Sequence, residues 1–355
     1  MMKPIYCSVP QIGHEEIDAV FQVFADEEML VQGEQVYRFE EEFARYIGTR
    51  YAVAVNSGTD ALYLTLKALG IGRGSYVLTS PLSFKATPET IKLVGANPCY
   101  KDVAEHTGNL YGTFTNVDAI IPVHLYGHPV FIERFVDMCE RNNQVLIEDA
   151  CQAHGAIVDN KKVGSFGRAG CFSFYATKNM TTGGNGGMIT TNDSMIQEKT
   201  ILLREHGGPL NTYEYGMNSR MNTINAAIGR VQLRKLDAFN KRRNEIAKIY
   251  NHELKHTDIQ LPVNTKGRVY HLYVIQTMFR ELLKNKLREQ NIFTGIHYSK
   301  PLHQYPCLSD DISQRLPNAE YLCQTCLSLP CHPGLSDDDV HRVCDVITSV
   351  KEVTT

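Results

Sequence analysis

The sequence predicts an α/β protein: a large domain with a mostly parallel, mixed sheet flanked by helices, followed by a smaller C-terminal α+β domain. Three observations carry this. Short apolar runs alternate with helix-period stretches from about residue 12 to 240, the pattern of strands joined by helical crossovers. A long helix-period stretch then ends at a break marked by Pro262 and Gly267. At 355 residues the chain exceeds the usual size of one hydrophobic core, so it divides into domains of 12–240 and 241–355, with residues 1–11 expected to pack near the smaller one.

The elements follow in order. Tyr51-Ala-Val-Ala-Val55 has the apolar, β-branched character of a buried strand, and Asp60 to Leu69 reads as the helix after it. Tyr76-Val-Leu-Thr79 and Ala119-Ile-Ile-Pro-Val123 are strands, Val130 to Asn142 a helix and Val145 to Glu148 the next strand. Cys171 to Tyr175 and Gly187 to Thr191 are two more. Thr223 to Leu254 is expected to form one helix, with Ile224, Ile228, Val231, Phe239, Ile246 and Tyr250 on one face and Lys241, Arg242 and Arg243 on the solvated side. Asn318 to Leu329 reads as a helix running into a short strand.

Composition excludes several function classes. With 43% apolar and 21% charged residues, disorder is not the expectation. A formal charge of −3 leaves no basic excess for nucleic acid or an anionic membrane. No run approaches the roughly 20 apolar residues that span a bilayer. Met1-Met-Lys-Pro-Ile-Tyr6 lacks an apolar signal core, and ten cysteines then read as free thiols in a reducing cytoplasm. Cys323-x-x-Cys326-x4-Cys331-His332 has zinc-type ligands but lacks a second half at finger-like separation. It reads as buried small hydrophobes, with no metal expected.

Lys178 stands in Cys171-Phe-Ser-Phe-Tyr-Ala-Thr-Lys178-Asn, just ahead of the run Gly183-Gly-Asn-Gly-Gly187. Asp149 ends the apolar run Leu146-Ile-Glu-Asp149, 29 residues earlier (178 − 149). A lysine leaving one strand and an acid ending another suit pyridoxal phosphate: the lysine carries the aldehyde as a Schiff base, and the acid keeps the pyridine nitrogen protonated. Asn56-Ser57-Gly58-Thr59-Asp60 lies between a strand and a helix, where free N–H groups and the helix dipole attract a phosphate. Taken alone it is a plain N-cap; Asp149 and Lys178 downstream favour the phosphate. Gln152 is placed to bond the ring's phenolic oxygen. His154 is either near the cofactor or structural. Ser173 either donates to the phosphate or satisfies a backbone group, and Phe84 either stacks on the ring or belongs to the core.

These motifs resemble the DegT/DnrJ/StrS family of sugar aminotransferases, members of the aspartate aminotransferase fold (fold type I pyridoxal phosphate enzymes). The likeness runs from about Gly33 to Val346 through Ser57-Gly-Thr-Asp-Ala-Leu62, Ile121-Pro-Val-His-Leu-Tyr-Gly127, Glu148-Asp-Ala-Cys-Gln-Ala-His-Gly155, Phe172-Ser-Phe-Tyr-Ala-Thr-Lys-Asn179, Asn218-Ser-Arg220-Met and Thr294-Gly-Ile-His-Tyr298. The resemblance implies that Lys178 carries the cofactor, that Asp149 partners the pyridine nitrogen and that Gln152 flanks the ring. It assigns Gly58, Thr59 and Ser173 to the phosphate, beside the hydroxyl that Ser57 offers in the same turn, and Phe84 to stacking. By the same resemblance Asn218 reaches the phosphate of the partner subunit, making each site of a homodimer shared, while Gly33, Arg220, His297 and Tyr298 lie on the substrate side.

The implied activity is amino transfer from an amino acid, L-glutamate first among candidates, to a keto-sugar, usually nucleotide-linked, in amino-sugar biosynthesis. A keto-cyclitol acceptor, a sugar dehydratase of the same fold and a non-catalytic sensor are the alternatives. The dehydratase branch carries histidine where Lys178 stands, which favours transamination. Asn185 replaces a usual acid, Cys151 a usual alanine, and the stretch from Val103 to Asp118 is short for the family.

Overall fold

In the computed structural model, which describes residues 3–209 and 215–350, helices α1 (His14–Ala25) and α2 (Glu34–Ile47) precede the first strand, β1 (Tyr51–Val55). The chain continues through α3 (Gly58–Ala68), β2 (Tyr76–Thr79), α4 (Ala86–Leu93), β3 (Asn97–Tyr100), β4 (Ala119–Ile121), α5 (Ile132–Asn142) and β5 (Val145–Asp149). A small hairpin, β6 (Ile157–Val158) and β7 (Lys161–Lys162), leads to β8 (Ala169–Ser173), β9 (Gly187–Thr191) and α6 (Ser194–Arg204). The remainder comprises α7 (Thr223–Glu253), β10 (Tyr273–Gln276), α8 (Arg280–Glu289), α9 (Pro317–Thr325), β11 (Cys326–Leu329) and α10 (Asp337–Val350).

Seven strands form one sheet in the order β1-β9-β8-β5-β4-β2-β3. All run parallel except β9, which is antiparallel to both β1 and β8. Strands β5 and β8 pair side by side, with Asp149 opposite Cys171, so the chain's acid ends a central strand at the carboxyl edge of the parallel set. That edge is where open α/β sheets bind ligands. Buried on both faces, these strands read as continuous apolar runs, which is why most were legible. β3 was not, because Pro98 interrupts it; proline is tolerated there because β3 is an edge strand. β4 stops at Ile121, before Pro122, which has no N–H to donate, and β8 ends two residues earlier than the pattern suggested.

Phe39 and Phe43 of α2 pack on Phe172 and Phe174, all four fully buried, with Phe43 5.0 Å from Phe172 and 5.3 Å from Phe174 by ring centroid. Truncating such a ring to alanine costs about 3–5 kcal/mol. Leu233 and Leu236 bring α7 into this cluster. Further along the same helix, Ile246, Ala247 and Tyr250 join a second cluster with Ile275, Leu327 and Val343. Ile5 also belongs to the second cluster and bridges Ile292.

Helix α7 starts at Asn222, whose side chain accepts from Asn225 N at 2.8 Å. One expectation about it needs correcting. Arg243 is not on the solvated face: it is 2% exposed and donates to the carbonyls of Tyr270, His271 and Cys331. It follows Leu236 by seven residues and precedes Ile246 by three, so helical spacing places it among buried positions despite its charge. Lys241 is exposed, and Arg242 pairs with Asp337 at 2.7 Å. No helix among the described residues is long and apolar enough to cross a membrane. None of their His, Cys, Asp and Glu groups is placed to hold a metal ion.

Candidate active site

A cavity of about 610 Å³ opens at the carboxyl edge of the sheet. It collects the turn before α3, the segment Ser83–Thr87, the ends of β5 and β8, the Lys178 loop and the segments around His271 and His297. Ser57, Gly58, Thr59, Phe84, Asp149, Gln152, Ser173, Lys178, His297 and Tyr298 all line it. Gly33, Asn218 and Arg220 do not.

The turn before α3 serves two purposes. Ser57 caps the helix, its Oγ accepting from Asp60 N at 3.0 Å, and it also faces the cavity. The first-turn N–H groups of Gly58 and Thr59 have no intrahelical acceptor and sit at the positive end of the helix dipole. Glycine is required at 58 by close approach: a Cβ there would lie 2.6 Å from Ser173 Cβ and 3.1 Å from Cys151 Sγ. Gly187, opposite Ser173 at the start of β9, leaves no room either, with Ser57 O 2.2 Å from where its Cβ would stand. The Ser173 hydroxyl accepts weakly from Tyr175 N at 3.4 Å and keeps its own proton for a ligand. Helix end, hydroxyls and tight backbone together suit a phosphate.

Asp149 is 4% exposed and held from two sides. Thr87 Oγ1 donates to Oδ2 at 2.8 Å, and Cys151 N donates to Oδ1 at 3.2 Å. Ser83 Oγ lies 3.0 Å from Thr87 Oγ1, extending the chain of hydroxyls. The neighbouring Glu148 points the other way, fully buried, and accepts from the N–H groups of Gly164, Phe166 and Gly167 and from His124 Nε2. Adjacent acids on one strand thus take opposite faces: Asp149 serves the cavity and Glu148 the core.

Lys178 follows β8 in a loop pinned by Lys178 N to Tyr175 O at 2.9 Å. Its amine makes no hydrogen bond or ion pair among the described residues. Desolvation lowers its pKa below the ordinary lysine value, against the opposing pull of the Asp149 carboxylate. Gln152 is held at both ends: Oε1 accepts from Tyr126 N at 2.9 Å, and Nε2 donates to Tyr298 Oη at 3.1 Å. One of its amide protons remains free for a ligand. His297 bonds Ser328 Oγ through Nδ1 at 2.8 Å, and burial lowers its pKa to about 4. Phe84 is 52% exposed at the mouth, so the core reading does not hold for it.

His154 lies outside the lining, buried against Phe172 and Phe174 with centroids 5.5 and 5.7 Å away; it is structural. Gly33 caps α2 where a Cβ would stand 2.4 Å from Met29 O. Arg220 pairs with Glu205 at 2.9 Å, and Asn218 is exposed. Sequence reasoning missed Thr87, which stands in the first turn of α4. It also missed His271, which no local pattern marks and which reaches the cavity from a distant segment.

The chain is similar to known proteins over nearly its whole length. Residues 10–348 match the model of the DegT/DnrJ/EryC1/StrS aminotransferase family. The UDP-N-acetyl-3-dehydro-alpha-D-glucosamine 3-aminotransferase of Acidithiobacillus ferrooxidans is 36% identical, covering 91% of this chain and 90% of that protein. The dTDP-3-amino-3,6-dideoxy-alpha-D-galactopyranose transaminase of Aneurinibacillus thermoaerophilus is 36% identical over 89% of this chain and 90% of its own length. The crystal structure of S. venezuelae DesV superposes with a TM-score of 0.90 at 33% identity, covering 94% of each chain. With a cavity that joins an unpaired lysine, a held aspartate and a phosphate-type turn on this sheet, the chain belongs to the DegT/DnrJ/EryC1/StrS aminotransferase family.

Proposed function

We propose that this chain is a pyridoxal phosphate-dependent transaminase, a cytoplasmic homodimer that moves an amino group from L-glutamate to a nucleotide-linked keto-sugar in amino-sugar biosynthesis. The observation that carries the reading is one cavity holding the unpaired amine of Lys178, the carboxylate of Asp149 and the open N-terminus of α3. The residues fit the cofactor: Gly58, Thr59, Ser57 and Ser173 would hold its phosphate, Phe84 and Gln152 would flank its ring, and Lys178 would carry it covalently. When bound, pyridoxal phosphate supplies an electron sink and carries the amino group between donor and acceptor.

The protein's own part follows from geometry. Asp149, fixed by Thr87 and by Cys151 N, would partner the pyridine nitrogen from a carboxyl group held in one orientation. Lys178 Nζ, its pKa lowered by burial, is available as a neutral base that takes a proton from the donor's α-carbon and returns it nearby. His297 stays neutral, so it adds no cation to the substrate side.

Support for the shared site comes from the surface. Asn218 is exposed outside its own chain's cavity, and the exposed apolar Met29, Leu30 and Val31 lie next to its loop, Val31 bridging Asn222 and Leu30 O accepting from Thr223 N. Support for a domain division at 240/241 comes from α7, whose Leu236 belongs to the first apolar cluster and whose Ile246 belongs to the second. The named sugar-nucleotide substrates of the relatives support the acceptor class.

The test is to offer glutamate with a panel of keto-sugars differing in nucleotide and carbonyl position, together with a keto-cyclitol, and to measure 2-oxoglutarate. Formation of 2-oxoglutarate matched one to one by an aminated nucleotide sugar is expected. Turnover with the cyclitol alone would overturn the acceptor class.

A further inference from the structure

His271 reaches the cavity from the segment just before β10, far in sequence from the motifs that mark the site. Its Nδ1 lies 3.1 Å from Asn179 Oδ1. The orientation of that amide is set by the chemistry around it. Asn240 Nδ2 donates to the backbone carbonyl of His154 at 2.8 Å, so Asn240 Oδ1 is the atom that accepts from Asn179 Nδ2, also at 2.8 Å. Asn179 Nδ2 donates again to Val269 O at 3.2 Å. Carbonyl oxygens only accept, so neither amide can be flipped without losing bonds in a buried place. Asn179 therefore turns its oxygen toward His271, and Nδ1 must be the ring nitrogen that carries the proton.

Two consequences follow for Nε2. In the neutral ring it is a bare lone pair, an acceptor and not a donor. It makes no hydrogen bond among the described residues, and the ring belongs to the cavity lining. Burial, reinforced by Lys178, pushes the ring's pKa well below its ordinary value, so the imidazolium is disfavoured. The amine of Lys178, meanwhile, has no hydrogen-bond or ion-pair partner among the described residues. Lys178 and His271 line the same cavity, and no hydrogen bond joins them in this structure.

We propose that His271 is a positioning residue for Lys178, its unprotonated Nε2 accepting a hydrogen bond from the free amine while the Asn240–Asn179 chain holds the ring in that tautomer. This rests on the transaminase reading of Lys178. A neutral amine has two N–H bonds and one lone pair; donating one N–H to Nε2 stops rotation about Cε–Nζ and aims the lone pair. No proton is exchanged in this contact. The histidine orients the base, and the base does the chemistry.

The experiment uses full-length protein loaded with pyridoxamine phosphate, in which the lysine amine is free. Spectra of ¹⁵N-imidazole histidine, assigned with His271→Gln, should show the His271 ring protonated at Nδ1 and bare at Nε2. The Nε2 signal should shift in Lys178→Ala. In single-turnover kinetics on enzyme loaded instead with pyridoxal phosphate, His271→Leu should slow the donor half-reaction about 10- to 100-fold, the value of one hydrogen bond to a charged or ionising group, at nearly unchanged KM. His271→Gln, which can place an amide oxygen near the Nε2 position, should stay within about threefold of wild type. A protonated Nε2, an Nε2 signal indifferent to Lys178→Ala, or equal losses in the Gln and Leu variants would each overturn the proposal. Should His271→Leu fail to fold, neutron diffraction from wild-type crystals reads the same proton directly, and deuterium on Nε2 would be decisive against it. The nitrogen readings need no turnover, so absence of amino transfer with every keto-sugar counts against the transaminase reading and leaves this test standing.

Discussion

Thr87 Oγ1 donates to Asp149 Oδ2 over 2.8 Å, linking the first turn of α4 to the end of β5 beneath the cavity. Thr87 is 1% exposed, so water does not replace the bond if it is lost. Thr87→Val keeps the shape and removes the donor. It should lower kcat about tenfold or more, the effect of losing one hydrogen bond to a charged acceptor, while the donor's KM stays near wild type. Thr87→Ser should recover most of the rate. Asp149→Asn should leave cofactor bound and cut the rate far more deeply, because the partner of the pyridine nitrogen is gone. Steady-state kinetics with cofactor absorbance distinguishes these; loss of binding with normal turnover in excess cofactor would contradict the assignment.

Lys178 should be the point of covalent attachment. Borohydride treatment of the loaded enzyme should fix the cofactor to the Lys178 peptide, and Lys178→Ala should abolish both labelling and transamination. Peptide mapping checks this, and label on any other lysine sinks it.

Acid should unfold the protein through its buried histidines. Burial lowers the pKa of His154 from 6.5 to about 3, and that of His128 likewise. The folded pKa lies below the unfolded one, so the unfolded chain binds the extra proton between the two values. The stability each ring contributes is therefore complete above pH 6.5 and drains away as pH falls toward 3. Each ring adds about 1.4 kcal/mol per pH unit to that slope. His154→Phe, which keeps an aromatic between Phe172 and Phe174, should flatten urea-unfolding stability plotted against pH across this window. An unchanged slope would show that His154 does not titrate as described.

Mixed dimers test the shared site. Lys178→Ala and Asn218→Ala homodimers should each be inactive or badly impaired. If Asn218 serves the partner subunit's cavity, one site of a mixed dimer carries both lesions and the other carries neither, so up to about half the activity returns, as two-fold symmetry dictates. If Asn218 serves its own chain, each site carries one lesion and mixing recovers nothing.

The cysteines near the C-terminus give a simpler test. Cys323 and Cys326 pack in a cluster with Leu272 and Leu322, whereas Cys331 packs in another with Tyr250 and Tyr273. Elemental analysis should find no stoichiometric zinc, and chelators should leave activity unchanged. One zinc per chain, lost in Cys323→Ala, would reverse this.

What the sequence displays depends on how far apart the contributing residues lie. Asp149 and Lys178 were legible because each sits at the end of an apolar run long enough to be read as a strand, and the sheet pairs those runs directly. Ser57 was legible as a cap, and the cap is real; that the same residue faces a cavity emerges only when Ser173 is brought beside Gly58. Arg243 misled because residue type suggested solvent while helical phase dictated burial. Thr87 and His271 carried no local signal: a threonine at the start of a helix and a histidine ahead of a strand are ordinary. Their roles come from tertiary contacts with Asp149 and Asn179, which no window of sequence contains.

Because β9 runs against its neighbours, the polypeptide arrives at Lys178 and departs from it along the same rim of the sheet, with Ser173 and Gly187 paired at the two feet of the loop. A parallel successor to β8 would have needed a crossover to the far rim and back. The lysine instead rides on a segment anchored at both ends by strand pairing. For an engineer this fixes the register at both feet of residues 174–186, while Phe174 and Asn179 tie the segment to α2 and α7, so an exchange between relatives has to carry Phe39 and Asn240 with it.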